Sequence, residues 1–264
     1  MKFVGYILFV GSVLLACKRS EKYEGVHLVA HACSGLLTTT APFHDNSLEA
    51  FNYARSLNGV DGIEVDVQLS ADTTVWLFHD YDLEKETNGT GCLSDATDAY
   101  LQTLRYSSLE QEKLIRLEDL PDDLHGKTLF LDVRMLHGCT NEPLDVNMVF
   151  QAIQKVVLAK GWENFRVIVG NPAWGSVFSA FGKDLYLNAY HWEHYQQVSN
   201  AFFAGPCIRA LEISKQDIEE IHANGKKVII FDVRSPKGTR EALKKSPDFL
   251  MVDDARTAII EKYR

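Results

Sequence analysis

Gly62-Ile63-Glu64-Val65-Asp66-Val67 is the stretch on which the reading of the fold turns. A β-branched run opened by glycine reads as a strand. In a strand, successive side chains point to opposite faces, so Ile63, Val65 and Val67 share one face while Glu64 and Asp66 share the other. A strand buried on both faces should be apolar throughout. Two neighbouring carboxylates repel, and burying them is costly unless a cation or hydrogen-bond donors meet them. Leu129-Phe130-Leu131-Asp132-Val133-Arg134 repeats the pattern and places Asp132 and Arg134 on one face. Three converging carboxylates, Glu64, Asp66 and Asp132, suit a hard divalent cation, which takes several oxygen ligands. The same residues could also line an exposed rim or make ion pairs, for example with Arg134.

Working outward, strand-like runs fall at Val26–Ala30, Gly62–Val67, Val75–Phe78, Thr128–Val133, Phe165–Val169, Leu185–Leu187, Lys227–Phe231 and Phe249–Val252. Helical patterns lie between several of them. Ser47–Leu57 has Asn46 as its expected N-cap and Glu49 at N3, and Val146–Ala159 carries Val149, Ile153, Val156 and Val157 on one face. Shorter candidates are Pro172–Phe181, Glu193–Phe203, Lys215–Ala223 and Thr239–Lys245. Strands alternating with helices specify an α/β protein, and eight of them at this length favour a single (β/α)8 TIM-type barrel. An open doubly wound sheet should carry a glycine-rich turn after its first strand, and His31-Ala32-Cys33-Ser34-Gly35 is not one. The seven residues between Val67 and Val75 are too few for a parallel crossover, so that connection is either extended or a hairpin. Tyr81–Lys127 is long, which places an insertion between the third and fourth strands.

Met1 to Ala16 is one lysine followed by apolar and small residues, too short to span a bilayer comfortably, and reads as a signal peptide. Leu14-Leu15-Ala16-Cys17 resembles a bacterial lipobox, which implies cleavage before Cys17, lipidation of that cysteine and a short tether over residues 17–25. The expected domain is then residues 26–264, close to the roughly 250 residues usual for this barrel. The expected place is the bacterial cell envelope, exported and touching the membrane only through its N-terminal lipid. Four further cysteines, Cys33, Cys92, Cys139 and Cys207, allow three full pairings in an oxidising compartment. Cys33, Cys92 and Cys139 each follow a strand or motif on the same side, so a disulfide bracing that rim is expected. The chain of 264 residues has 46% hydrophobic and 24% charged residues, an ordinary globular composition. Its 27 Lys and Arg against 36 Asp and Glu leave a formal charge of −9, which repels nucleic acid and excludes it as an expected partner.

His31 ends the first strand and His79 ends Val75–Phe78. In a parallel barrel the strand C-termini open on one face, where active sites lie. Two histidines meeting carboxylates there can take one proton and give another near neutral pH. His27, deeper in the first strand, is expected to be structural.

His31, Asp45-Asn46-Ser47-Leu48-Glu49-Ala50-Phe51, Asp61–Val67 and Val75-Trp76-Leu77-Phe78-His79-Asp80 resemble the glycerophosphodiester phosphodiesterase family. The run Tyr81–Gly91, Leu117–Leu120, Leu129–Arg134, Gly225–Arg234 and Asp248–Asp254 extend the resemblance over nearly the whole chain after the tether. It implies a (β/α)8 barrel that hydrolyses a small-molecule phosphodiester with a divalent cation, calcium or magnesium. By position, Glu64, Asp66 and Asp132 would bind the metal, His31 and His79 would be the acid/base pair, and Arg134 and Phe231 would contact substrate. The implied reaction is attack by a neighbouring glycerol hydroxyl, giving a cyclic phosphate that water opens.

The chain departs from the family pattern. The family's first motif is His-Arg-Gly, whereas His31 is followed by Ala32, Cys33, Ser34 and Gly35, so a phosphate-binding guanidinium is absent. Asp45 and Asp132 stand where glutamates are usual, Arg134 where lysine is usual, and Phe231 where tryptophan is frequent. Two other readings follow: a phospholipase-like headgroup phosphodiesterase, and a barrel that binds phosphodiesters without turnover. The retained pair His31 and His79 argues against the second.

Overall fold

A computed structural model describes residues 23–34, 41–189, 191–198 and 201–264. The expected leader and Cys17, the expected lipidation site, lie outside them. In chain order the elements are β1 (His27–Ala30), α1 (Leu48–Ser56), β2 (Gly62–Leu69), β3 (Val75–Leu77), α2 (Asp98–Leu101), β4 (Ile115–Arg116) and β5 (Thr128–Val133). They continue through α3 (Val146–Lys160), β6 (Phe165–Val169), α4 (Gly175–Phe178), β7 (Leu185–Ala189), α5 (Trp192–Val198), β8 (Gly205–Arg209), α6 (Lys215–Ala223), β9 (Ile229–Val233), α7 (Pro236–Leu243), β10 (Phe249–Val252) and α8 (Ala255–Tyr263).

The sheet order β1-β10-β9-β8-β7-β6-β5-β2, closed by the β1–β2 pairing, is the expected eight-stranded parallel barrel. Its membership differs from the sequence reading at two strands. Val75–Leu77 is not a barrel stave: it folds back antiparallel on β2, with Val67 opposite Leu77 and Leu69 opposite Val75, and β4 adds outside it. This is the hairpin alternative for the seven-residue connection. The inserted segment therefore follows the second barrel strand. The missing stave is β8, whose Gly205-Pro206 start reads as a turn. Glycine is required there because a Cβ at Gly205 would stand 1.6 Å from the Lys227 carbonyl oxygen.

The alternation in the sequence becomes two layers and an outlier. Ile63, Val65 and Val67 of β2, with Leu129, Leu131 and Val133 of β5, face the helices and join the large outer core. Inside the barrel, Val29, Phe130, Ile168, Tyr186, Cys207, Ile229, Phe249 and Met251 fill the space between strands. The inserted segment has its own small core around Trp76, Phe78, Leu83, Leu93 and Tyr106. Cys92–Cys139 ties this segment to the loop after β5, and Cys33 and Cys207 are buried thiols. The expected rim disulfide therefore uses two of the three cysteines named for it.

At α1 the N-cap is Ser47, one residue later than expected; its Oγ accepts the Ala50 N–H at 3.1 Å. Asn46 instead takes a left-handed backbone (φ 53) and turns its amide toward the barrel. Asp145 caps α3, and Gly161 ends it in the left-handed conformation (φ 63). No helix among the described residues is long and apolar enough to cross a membrane.

Candidate active site

Strand register brings the polar residues to one level. Ala30 lies opposite Ile63, so His31 comes level with Glu64, and Asp66 lies directly opposite Asp132. Carboxylate oxygens of Glu64, Asp66 and Asp132 lie within 4.8 Å of one another, with Glu64 and Asp66 almost fully buried. The sequence reading of β2 and β5 is thus correct in face and in convergence.

The three carboxylates are not equivalent. Asp66 pairs with the Arg134 guanidinium, and Asn46 grips it twice: Asn46 Nδ2 donates to Asp66 Oδ2 at 2.9 Å, and the Asp66 N–H donates to Asn46 Oδ1 at 3.0 Å. Burial works against the Asp66 anion, but Arg134, His79 and Asn46 hold its pKa below the usual range. Glu64 goes the other way. Burial and the adjacent Asp66 charge push it well up, although the Ala32 N–H donates to Glu64 Oε2 at 2.7 Å. Burial also raises Asp132, with Arg134 opposing. Glu64 Oε1 is buried without a hydrogen-bond partner.

The turn after β1 makes the Ala32 contact. Ala32, Cys33 and Ser34 have φ of 42, 63 and 70, three successive L-residues in the left-handed region. Each such residue costs on the order of 1–3 kcal/mol, a strain that collects at functional sites. His31 stands at the start of this turn. Its Nδ1 lies 2.7 Å from Asp253 Oδ1 and its Nε2 lies 3.9 Å from Glu64 Oε2. Burial pulls its pKa down, but the Asp253 hydrogen bond and the Glu64 charge outweigh that and raise it to about 9.

His79 arrives by a route different from the one expected. It follows the antiparallel β3, not a barrel strand, and reaches the mouth because β3 runs back along β2. The Phe78 N–H donates to the Asp66 carbonyl at 3.1 Å. Gln68, buried at the end of β2, donates through Nε2 to the Phe78 and Asp80 carbonyls at 2.8 and 2.7 Å. His79 Nδ1 meets Asp80 Oδ1 at 2.9 Å. Both histidines thus engage a carboxylate through Nδ1, which orients the ring and leaves Nε2 for other partners.

A cavity of about 820 Å³ opens over this group, lined by His31, His79, Asp132, Arg134 and Phe231 among others. Phe231 sets its ring edge-on to His31 at 6.2 Å. Sequence reasoning passed over Asp253, Gln68 and the role of Asn46, and also the cluster His44, Asp45 and Glu86 at the cavity wall. His44 stacks on Tyr106 at 3.9 Å and bonds Asp45 Oδ1 through Nδ1 at 2.5 Å. Burial, with Asp45 and Asp80 nearby, pushes Glu86 up to about 8. Asp-Asn before a capping Ser, and an Asp closing the last strand, were the only signals of these partners. His27 lies away from this group, 3.8 Å from Asp61, as expected of a structural residue.

A parallel (β/α)8 barrel whose mouth gathers two histidines and three carboxylates, two of them buried, is a barrel built for charge chemistry there. A profile described as the glycerophosphoryl diester phosphodiesterase family matches residues 32–163, half of the chain, and the chain belongs to that family. A glycerophosphodiester phosphodiesterase of Caldanaerobacter subterraneus subsp. tengcongensis is 43% identical over 53 residues, 20% of this chain and 21% of that protein. The matched stretches span about a third or less of the curated relatives. Among solved structures, a phosphodiesterase of Oleispira antarctica in complex with its product sn-glycerol-3-phosphate superposes with a TM-score of 0.76 at 20% identity, covering 89% of this chain and 96% of that one. A glycerophosphodiester phosphodiesterase from Parabacteroides distasonis gives 0.73 at 18% identity, covering 90% and 97%. At these identities the structural likeness speaks for the fold.

Proposed function

We propose that the protein is a metal-dependent phosphodiester hydrolase that cleaves glycerophosphodiesters to an alcohol and glycerol 3-phosphate by two-histidine acid/base catalysis. The observation that carries this is the meeting of His31 and His79 with Glu64, Asp66 and Asp132 at one mouth. The carboxylates fit a hard cation, calcium or magnesium. Three oxygen donors converge within 4.8 Å, and Glu64 Oε1 has no partner of its own in a buried site. Bound there, such a cation supplies positive charge to the nonbridging phosphate oxygens.

The chain's own residues do the rest. One imidazole takes the proton of the attacking hydroxyl as its oxygen bonds to phosphorus. The other gives a proton to the leaving alkoxide as the opposite P–O bond breaks, leaving the cyclic phosphate; water then adds to phosphorus with the two roles reversed, and the ring P–O bond breaks to give glycerol 3-phosphate. Asp253 and Asp80 hold the rings with Nε2 toward the cavity. Arg134, held cationic by Asp66, Asp132 and Glu64 in spite of its burial, faces the phosphate and partly replaces the guanidinium missing after His31. Phe231 forms an apolar wall beside His31.

In the same proposal residues 1–16 direct export, Cys17 carries the lipid, and the protein works in the bacterial cell envelope. β1 begins at the barrel face opposite the mouth. The test is glycerol 3-phosphate release by the metal-stripped chain from Lys18, with calcium, magnesium or manganese restored, and His31→Ala and Glu64→Gln as controls. Metal-dependent turnover lost in both variants supports the proposal. Absence of turnover while the cation still binds would favour the non-catalytic reading.

A further inference from the structure

A second group of donors stands on the cavity wall, built from the turn before α1 and from the inserted segment. Ligand atoms of His44, Asp45 and Glu86 lie within 4.8 Å of one another, and all three residues line the cavity. The Asp45 and Glu86 side chains are 7% and 15% exposed. The neighbouring carboxylates have their own partners. Asp45 Oδ1 meets His44 Nδ1 at 2.5 Å, and Asp80 meets His79 Nδ1 at 2.9 Å and Lys85 Nζ at 3.6 Å. Glu112 accepts the His44 N–H at 2.7 Å and the Ser108 hydroxyl. Glu86 is left over. Its one ion-pair contact among the described residues is with His79 Nδ1 at 3.8 Å, which already bonds Asp80. Its Oε2 is fully buried without a hydrogen-bond partner, as Glu64 Oε1 is in the first carboxylate group. A buried oxygen of this kind calls for a donor or an ion. The His44 imidazole is fixed for such a role. It lies flat on Tyr106, with ring centroids 3.9 Å apart and planes 15° from parallel. Its Nδ1 rests on a carboxylate, the contact by which proteins orient a metal-ligating histidine, and Nε2 takes no hydrogen bond among the described residues.

We propose that His44, Asp45 and Glu86 form a second cation site on the cavity wall, and that it takes a borderline divalent cation, zinc before calcium or magnesium. The donor set makes the distinction. Glu64, Asp66 and Asp132 offer oxygen alone, which suits hard cations. An imidazole with two carboxylates suits zinc, and three protein donors leave its remaining position open to the cavity. A cation there offsets the charge of a wall that carries Asp45, Asp80 and Glu86 together. The site stands whether or not the mouth hydrolyses diesters, because none of its three residues belongs to the acid/base pair or to the first carboxylate group.

The experiment uses the full untagged chain in detergent, stripped of metal and then saturated with calcium to fill the oxygen site. Cobalt(II), a coloured stand-in for zinc, is titrated near neutral pH. Visible absorption reports its ligands, and elemental analysis counts bound metal per chain. One cobalt should bind per chain and be displaced by zinc but not by further calcium. His44→Gln and Glu86→Gln should each weaken cobalt binding by at least about tenfold, the loss usual for a disturbed ligand shell. Glu64→Gln should leave it unchanged. Glu86→Gln, which keeps the shape of the side chain, carries the test if the His44 variant fails to fold. Uptake that survives both variants would place the metal on surface histidines and overturn the inference. Uptake lost in Glu64→Gln would place it in the first carboxylate group and overturn it equally, as would no uptake at all. Turnover with calcium alone is followed in the same samples. Turnover without cobalt uptake would keep the hydrolase reading and sink this one, and cobalt uptake at His44 and Glu86 without turnover would do the reverse.

Discussion

The same strands build a dry plug and a charged mouth, one or two residues apart. On β5, Phe130 packs against Val29, Ile168, Tyr186 and Phe249 inside the barrel, and Asp132, the next inward residue, joins Glu64 and Asp66. On β1, Val29 belongs to the plug and His31 to the mouth. The plug is apolar but for the Tyr186 hydroxyl and the Cys207 thiol. The mouth holds an unpartnered carboxylate oxygen on Glu64, raised acid pKa values on Glu64 and Asp132, and left-handed backbone at Ala32, Cys33, Ser34 and Asn46. The barrel is stabilised by one layer and strained by the other, so changes in the two layers should separate stability from turnover.

The largest expected effect is on turnover. Glu64→Gln, isosteric but a poorer ligand, should lower kcat/KM by about 10³-fold, equivalent to ~4 kcal/mol of transition-state stabilisation. Steady-state assay with the cation restored checks it, and an unchanged rate would remove Glu64 from the machinery. Phe130→Ala is the mirror case: a buried aromatic lost from the plug should cost about 3–5 kcal/mol of stability. Denaturant unfolding reads that loss, and kcat of the folded fraction should stay near the unmutated value. A next step down is the rim brace. Cys92→Ser with Cys139→Ser should lower stability by roughly 2–4 kcal/mol, since the bond restrains the unfolded chain. Unfolding with and without reductant, compared with the double variant, checks that assignment.

A last effect is pH-dependent. Glu86 has a folded pKa of about 8, above its ordinary value of 4.5, so ionising it penalises the folded state. Below 4.5 both states are protonated and the penalty vanishes; it grows from 4.5 to 8 and then levels off. Glu86→Gln should therefore raise Tm at pH 8.5 and leave it nearly unchanged at pH 4.5. An equal shift at both pH values would show that packing, not charge, sets the effect.

Much of this contrast is legible in the sequence, because strand alternation is a local property. Gly62–Val67 and Leu129–Arg134 declare their faces, and a parallel barrel then brings Glu64, Asp66 and Asp132 together. What escaped depends on distance or on backbone. Alternation in Val75–Phe78 does not distinguish a stave from a hairpin arm, and Gly205-Pro206 looks like a turn until the close approach of Lys227 is known. Asp253 meets His31 across 222 residues of chain, which no local pattern reports. Asn46 looks like an N-cap because its residue type suits one, and only its left-handed backbone turns it to Asp66.

In the proposed function, the carboxylates of the mouth are frustrated until a cation joins them. Thermal unfolding of the metal-stripped protein and of Glu64→Gln, each titrated with calcium and with magnesium, addresses it directly. A site filled to a hundred times its Kd adds about 2.7 kcal/mol. Glu64→Gln should start at the same or a higher midpoint than the unmutated protein and gain little, while the unmutated protein climbs by several degrees with one of the two cations. Equal climbs in both proteins, or none in either, would contradict the claim.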